Sequence, residues 1–333
     1  MNHRELQQAI AAGKIGRLYL LDGTEENLKD EALQLLRKQV LQEGLEDLNE
    51  AVMDNPPTDQ IIAAAETLPF IADRRLVIVR DLQCLTGRGE TDDRLKDYMA
   101  HVPDTTVLVF FTRGKANGTK ALYKQIKKHG QIVTFEKLKG AELTRWIVEE
   151  FRKNGKTCSN QVADRLSFTT GTDTGLLTAE IAKISSMADD RDNVDPEDID
   201  RMATRSIECT VFEMVDAVVA GQQSRAFRLM RDMVTAGEDR LGILAMLLRQ
   251  YRMLQHVKIM QYEKKSVQAM QQSLAVAPFV MERYLRQAKS YTGGQVKRAV
   301  DICLDTEYRV KSGRMNQEGS LEAAMLKIFA LRQ

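Results

Sequence analysis

The chain has 333 residues, and 48 Lys+Arg against 47 Asp+Glu leave a formal net charge of +1. Hydrophobic residues make up 43% and charged residues 29%, as in an ordinary soluble globular protein with apolar surface enough for a large core. This balance excludes a global basic field as the main route to nucleic acid and leaves only local basic faces. At about 150 residues per domain the length allows two or three domains. No run approaches the roughly 20 apolar residues of a membrane span, and the start, MNHRELQQAI, has no apolar h-region of a signal peptide. Cys84, Cys158, Cys209 and Cys303 lie far apart with no C-x-x-C. They read as reduced, buried thiols of a cytoplasmic protein rather than as a zinc or redox site. No H-x-x-x-H, G-x-S-x-G or H-E-x-x-H occurs, so the familiar hydrolase and zinc-protease signatures are absent and no metal is expected.

In chain order, Leu18–Leu21 is a short apolar run closed by the turn Asp22-Gly23-Thr24. From Glu25 the period becomes helical, with Leu28, Ala32, Leu35, Leu36 and Val40 on one face and Thr24 or Asp22 as cap. A second strand is expected around Leu48–Met53, broken by Asn55-Pro56-Pro57, and a helix starts at Thr58 through Ile61, Ile62 and Ala65. Leu76–Val79 (LVIV) and Val107–Phe111 (VLVFF) are continuous apolar runs, as strands buried on both faces require, and Ile132–Phe135 is a shorter one. Helical patterns at 92–101 and 118–129 separate them. This alternation implies a parallel sheet with helices on both faces over 1–140.

From Leu138 onward the pattern predicts helices only, at 141–153, 159–168, 173–188 and 196–204, with a polar loop at Ser185–Asp195. A longer helical block follows from 209 to 333, interrupted at Gly221, Ala236-Gly237, Ala277-Pro278, Gly293-Gly294 and Gly313. The methionines at 230, 233, 246, 253 and 260 read as core, with an adaptable interface as the second choice. Trp146, opening the second domain, reads as a packing anchor between domains rather than a ligand platform.

The strand, glycine turn and helix near the N-terminus invite comparison with the phosphate loop G-x-x-x-x-G-K-[ST]. In that frame Gly23 takes the first glycine and Lys29 the lysine, but Leu28 stands for the second glycine and Asp30 for the hydroxyl residue. Glu25 and Glu26 add negative charge where a polyphosphate would sit. LVIV ends in Arg80-Asp81 and VLVFF in Thr112-Arg113, so no acidic pair for metal and water activation is visible. The stretch reads either as a plain helix cap or as a nucleotide-binding fold that has lost its nucleotide. The α/β-then-helical layout, shared with the AAA+ fold, favours the second.

With these features the chain resembles the delta-subunit family of the bacterial DNA polymerase III clamp loader. The resemblance runs from end to end. It is carried by Leu18–Glu25 (LYLLDGTE), by Glu66-Thr67-Leu68-Pro69-Phe70 followed by Asp73–Val79, and by Gly171, Asp173, Leu176, Leu177, Glu180, Lys183 and Ile184. Val211-Phe212-Glu213, Arg249–Arg252, Pro278-Phe279-Val280 and Lys311–Arg314 continue it, while Asp305-Thr306-Glu307 departs slightly from the expected acidic-alanine stretch. The resemblance implies three parts: an AAA+-like α/β clamp-binding domain without functional Walker motifs (1–140), a helical lid (141–208) and an all-α oligomerisation collar (209–333). It implies a subunit that binds the beta sliding clamp and opens one interface of the ring for loading onto primed DNA. Its partners would be the tau/gamma ATPase subunits, delta-prime and primer-template DNA. It implies no cofactor and no catalysis of its own, within the polymerase III holoenzyme.

Leu68, Pro69 and Phe70 are the candidate clamp contact. The residue before a proline is biased out of the helical region, so the helix ends there and leaves Phe70 and Ile71 just past its end. A protruding Leu and Phe can anchor in an apolar pocket; alternatively both pack under the helix-to-strand corner. The resemblance favours the former. Arg74 and Arg75 read as a polar rim or a solvated strand entry. Thr112–Gly130 carries six Lys and Arg residues and no acid, with Lys120, Lys124 and Lys127 on one helical face. These are candidate DNA-phosphate contacts or simply a solvated basic face. Two other functions stay open on the residues alone, an active AAA+ ATPase and a non-catalytic helical adaptor.

Overall fold

The computed structural model describes residues 1–87, 89–188 and 191–331. The backbone divides into two compact units, Met1–Lys137 and the chain from Leu138 onward.

In the first unit the order is α1 (His3–Ala11), β1 (Leu18–Gly23), α2 (Glu26–Val40), α3 (Glu46–Asn49), β2 (Glu50–Asp54), α4 (Thr58–Glu66), β3 (Arg75–Arg80), α5 (Gln83–Thr86), α6 (Asp93–Tyr98), β4 (Thr106–Phe111), α7 (Ala121–His129) and β5 (Gln131–Phe135). The strands form one parallel sheet in the order β2-β3-β4-β1-β5. The apolar runs supply the central strands, and β1 and β4 are buried along their whole length. Alternation along the strands sends Leu18, Leu20, Val77, Val79, Leu108 and Phe110 to one face, against Ile61, Leu95, Leu122 and Ile126 of α4, α6 and α7. Tyr19, Leu21, Leu76, Ile78, Val109 and Phe111 face the other way, where α2 lies on β1 and β3. This is the α/β arrangement expected from the alternating pattern.

Some local expectations fail. On α2, Leu33 and not Leu35 joins Leu28, Ala32 and Leu36 in the core, and Leu35 is exposed. Neither Asp22 nor Thr24 caps this helix, whose N-cap is Glu25 without a side-chain cap bond. The Asp22 carboxylate instead accepts from the Ala116 N–H at 2.7 Å. The second strand begins at Glu50, because Leu48 and Asn49 belong to α3.

The second unit contains α8 (Gly140–Lys153), β6 (Thr157–Cys158), α9 (Asn160–Thr170), α10 (Thr174–Met187), β7 (Asn193–Val194), α11 (Pro196–Met202), α12 (Ile207–Val219), α13 (Gln223–Thr235), α14 (Arg240–Tyr262), α15 (Val267–Leu274), α16 (Pro278–Lys289), α17 (Gly293–Lys311) and α18 (Ser320–Ala330). The expectation of no strand after Leu138 is wrong for β6 and β7, which pair in parallel over two residues each. The expected loop at Ser185–Asp195 starts later, since α10 continues to Met187; its Asp189 and Asp190 lie outside the described residues. Gly293 and Gly294 open α17 behind the cap Thr292 rather than separating helices. A break without glycine falls between α14 and α15, where Lys264 takes a left-handed φ of 56°.

Helix α14 runs through the core of this unit against α12, α16, α17 and α18. Its Leu244, Leu247, Tyr251, Leu254 and Val257 are buried all but completely. Met230, Met233 and Met260 are core, and Met246 and Met253 pack against it. Trp146 is buried on α8. A polar chain crosses the apolar packing: Tyr284 donates to Gln250, Gln250 to Gln287, and Gln287 to Asp216 at 3.0, 2.8 and 2.7 Å. Every link is donor to acceptor, so these buried polar groups are compensated. Cys84, Cys209 and Cys303 are buried and Cys158 is half-buried, all as free thiols. Burial pushes Cys158 and Cys209 up to about 11 and Cys303 up to about 12.

Candidate functional site

The two candidate regions of the first unit lie at opposite ends of its sheet. The turn after β1 sits at the carboxyl ends of the strands, next to the place where the strand order reverses, which is where open α/β sheets hold ligands. The Leu68–Phe70 stretch precedes β3 and so lies at the amino ends.

At the carboxyl end, the side chain of Lys29 is completely buried. Its ammonium donates to the Gly23 carbonyl at 2.9 Å, to the Glu26 carboxylate at 2.8 Å and to the Thr112 carbonyl. It also sits 5.0 Å from the centre of the Phe111 ring. The lysine that a phosphate loop would aim at a polyphosphate is turned inward, tying the ends of β1 and β4 to α2. The turn's amides are engaged too. Gly23 N–H donates to Gly114 O at 3.3 Å, and Thr24 and Glu25 N–H both donate to Phe135 O at 2.9 and 3.2 Å. Glu26 closes the arrangement by accepting from the Gly114 N–H at 2.9 Å. Gly23 has φ 130°, and a Cβ there would stand 2.1 Å from Phe135 O. The glycine is required by the approach of β5. Leu28 is buried on the core face of α2, and Asp30 is exposed, with Arg80 3.9 Å away. A phosphate cradle needs free N–H groups and a free lysine, and this turn offers neither of those groups from Gly23, Thr24, Glu25 and Lys29.

At the amino end, α4 stops at Glu66, and Thr67 takes extended backbone while its N–H and hydroxyl return to Ala63 O at 3.1 and 2.8 Å. Leu68 is 77% exposed, Phe70 51% and Ile71 74%, with Pro69 half-buried between them. The reading in which Leu68 and Phe70 pack under the corner does not hold. The backbone, by contrast, is tied down. Asn49 at the end of α3 is fully buried; its carboxamide donates to Phe70 O at 3.1 Å and accepts from Phe70 N–H at 2.7 Å. Arg75 donates to Thr67 O at 3.2 Å and is itself buried, which depresses its pKa; it is no solvated rim. Arg74 donates to Ile15 O at 3.0 Å. Nothing in the sequence marked Asn49, which falls inside the strand expected around Leu48–Met53.

Lys120 is the N-cap of α7 and donates to Gly89 O at 3.3 Å, whereas Lys124 and Lys127 on that helix are exposed. The structure therefore separates the three lysines into one engaged with the protein and two facing solvent. Among the described residues, no group of three or more His, Cys, Asp or Glu is placed to hold a metal, and no helix is long and apolar enough to cross a membrane.

Residues 19–136 match the family model of the DNA polymerase III delta subunit, and residues 208–328 match that of the delta subunit's C-terminal domain. The chain is 25% identical to the DNA polymerase III subunit delta of Bacillus subtilis over 98% of its own length and 96% of that protein. The solved structure of the Bacillus subtilis DNA clamp loader delta protein superposes with a TM-score of 0.59 at 25% identity, covering 98% of this chain and 99% of that one. Two family matches in the expected order and a shared fold along the whole length lead to one assignment: the chain belongs to the DNA polymerase III delta-subunit family.

Proposed function

We propose that the chain is the clamp-contacting subunit of a DNA polymerase III clamp loader. It binds the beta sliding clamp through Leu68, Pro69 and Phe70 and holds one interface of the ring open for loading onto primed DNA. The observation that carries this reading is the exposure of Leu68 and Phe70 on a stretch whose backbone is hydrogen-bonded to buried side chains. Large apolar side chains held out from the surface suit a partner's apolar pocket, where a few such anchors supply most of the binding energy. Membership of the delta-subunit family supports this reading.

The closed turn around Lys29 supports a subunit that neither binds nor hydrolyses ATP, so the motor belongs to partner ATPase subunits (tau/gamma), with delta-prime completing the ring. The second unit then comprises a lid over 141–208 and an oligomerisation collar over 209–333, acting in the cytoplasm. Lys124 and Lys127 contact DNA phosphates, with Lys120 serving the fold instead. The test is binding of the full chain to the sliding clamp of the same organism, for wild type and for Leu68→Ala/Phe70→Ala. Both side chains are exposed, so the double variant should melt within about 0.5 kcal/mol per site of wild type. Clamp binding should be lost. Equal binding of the two proteins would place the contact elsewhere.

A further inference from the structure

We infer that Asn49 is the positioning residue of the Leu68–Phe70 contact, holding these side chains out before any partner arrives. The inference rests on the clamp-binding reading above and adds to it how the contact is made ready.

The argument starts from hydrogen-bonding capacity. Asn49 is completely buried, and its carboxamide meets both backbone polar groups of Phe70, at 2.7 Å to N and 3.1 Å to O. This is the double pairing that a neighbouring strand would supply, provided here by one side chain. Only a carboxamide carries a donor and an acceptor together in this way; a carboxylate would face the carbonyl with a second acceptor. The same amide group donates to Leu45 O at 3.2 Å, which fixes the side chain on its own helix.

The neighbouring residues carry the strain and the remaining ties. Ile71 has a φ of 48°, a left-handed conformation that a β-branched residue rarely takes. Strain of this kind persists only where surrounding contacts over-determine it, and it clusters at functional positions. Arg75 holds Thr67 O on the other side. The polar backbone of 67–71 is thus drawn inward at both ends while Leu68, Phe70 and Ile71 face solvent. A free loop with three large apolar side chains would lose this arrangement to many others. Ordering it on binding would then cost affinity, and the existing hydrogen bonds remove that cost beforehand.

The test uses the full chain in four forms: wild type, Asn49→Ala, Phe70→Ala and the double variant. Each is measured for affinity to the same organism's sliding clamp, for melting and for amide exchange at Phe70. Asn49→Ala is expected to weaken binding about tenfold and to speed exchange at Phe70. In the Phe70→Ala background the same change should cost less than about twofold, because the side chain being positioned is gone. Equal loss in both backgrounds would mean a general structural role and would overturn the inference. So would wild-type affinity of Asn49→Ala alongside a weakened Phe70→Ala, with the clamp contact itself left standing. Wild-type affinity of Phe70→Ala would sink the clamp reading and this inference with it. Should Asn49→Ala not fold, Asn49→Ser, which is uncharged and too short to bridge both polar groups of Phe70, provides the same comparison.

Discussion

The ammonium of Lys29 donates to the carbonyl of Gly23 at 2.9 Å, back across the turn that precedes its own helix. A lysine in the first turn of a helix is opposed by the helix dipole, by about 0.3–1 kcal/mol. Here the carbonyls of Gly23 and Thr112 and the carboxylate of Glu26 offset that term, with the Phe111 ring beside them. Lys29→Met would fill similar volume and take this donor from the Gly23 and Thr112 carbonyls, while Glu26 would keep the Gly114 N–H. We expect a loss of about 2–4 kcal/mol, the cost of stripping a partner from a buried charged network. Faster amide exchange over β1 and α2 would report it. The variant should gain no affinity for ATP in calorimetry, because Gly23, Thr24 and Glu25 still spend their N–H groups on Gly114 and Phe135. Restored nucleotide binding would show that Lys29 alone was closing the site.

Much of this was legible beforehand, and the limits have physical causes. LVIV and VLVFF declared themselves as buried strands because continuous β-branched and aromatic runs have few other homes. The clash that proline imposes on its predecessor put the helix end at Leu68, whereas α4 already stops at Glu66. Position 29 could be matched to a phosphate-loop lysine, but its inward turn depends on Thr112 O, 83 residues away. Asn49 shares that limitation, since its partner Phe70 lies 21 residues on. The β6–β7 pair is too short for any periodicity. The break at Lys264 lacks the glycine that usually marks a left-handed residue.

Asp198 gives a pH prediction. Its side chain is buried, and it accepts from Arg191 at 2.8 Å, from Arg201 at 3.4 Å and from the Asp195 N–H at 3.0 Å. The Arg191 hydrogen bond, foremost, holds its carboxyl below the usual aspartate value. A carboxyl depressed in the folded state contributes stability that is fully present above the unfolded value of about 3.9 and fades as pH falls through the folded one. Asp198→Asn should therefore cost about 1–3 kcal/mol near neutrality. The gap from wild type should stay level from about pH 7 to pH 5 and narrow below about pH 4. A gap that widens on acidification would contradict this assignment.

Phe168 of α9 sits edge-on to Phe212 of α12 and Phe279 of α16, with ring centres 5.3 and 5.5 Å away. The Arg283 guanidinium lies 4.4 Å from the Phe212 ring centre and 5.3 Å from that of Phe168. Asp216 fixes that guanidinium at 2.6 Å while accepting from Gln287 at 2.7 Å. Asp216 thus bears on Phe168 through Arg283, at the rim of a cleft of about 620 Å³. Edge-on ring pairs and a partly desolvated cation over them are each worth about 1 kcal/mol. Phe168→Ala should accordingly cost about 2–3 kcal/mol, and Asp216→Ala about 2 kcal/mol, since it takes the carboxylate from Arg283 and leaves the Gln287 amide its longer bond to Phe212 O at 3.3 Å. The two losses should not add. With Phe168 removed, the orientation of Arg283 matters less, and a coupling of about 0.5–1 kcal/mol is expected in the double variant. The chain's single tryptophan, Trp146, is buried on α8 of this same unit, so its fluorescence in urea follows the relevant transition separately from the α/β unit. Strict additivity would mean that the ion pair and the aromatic cluster stabilise this unit independently.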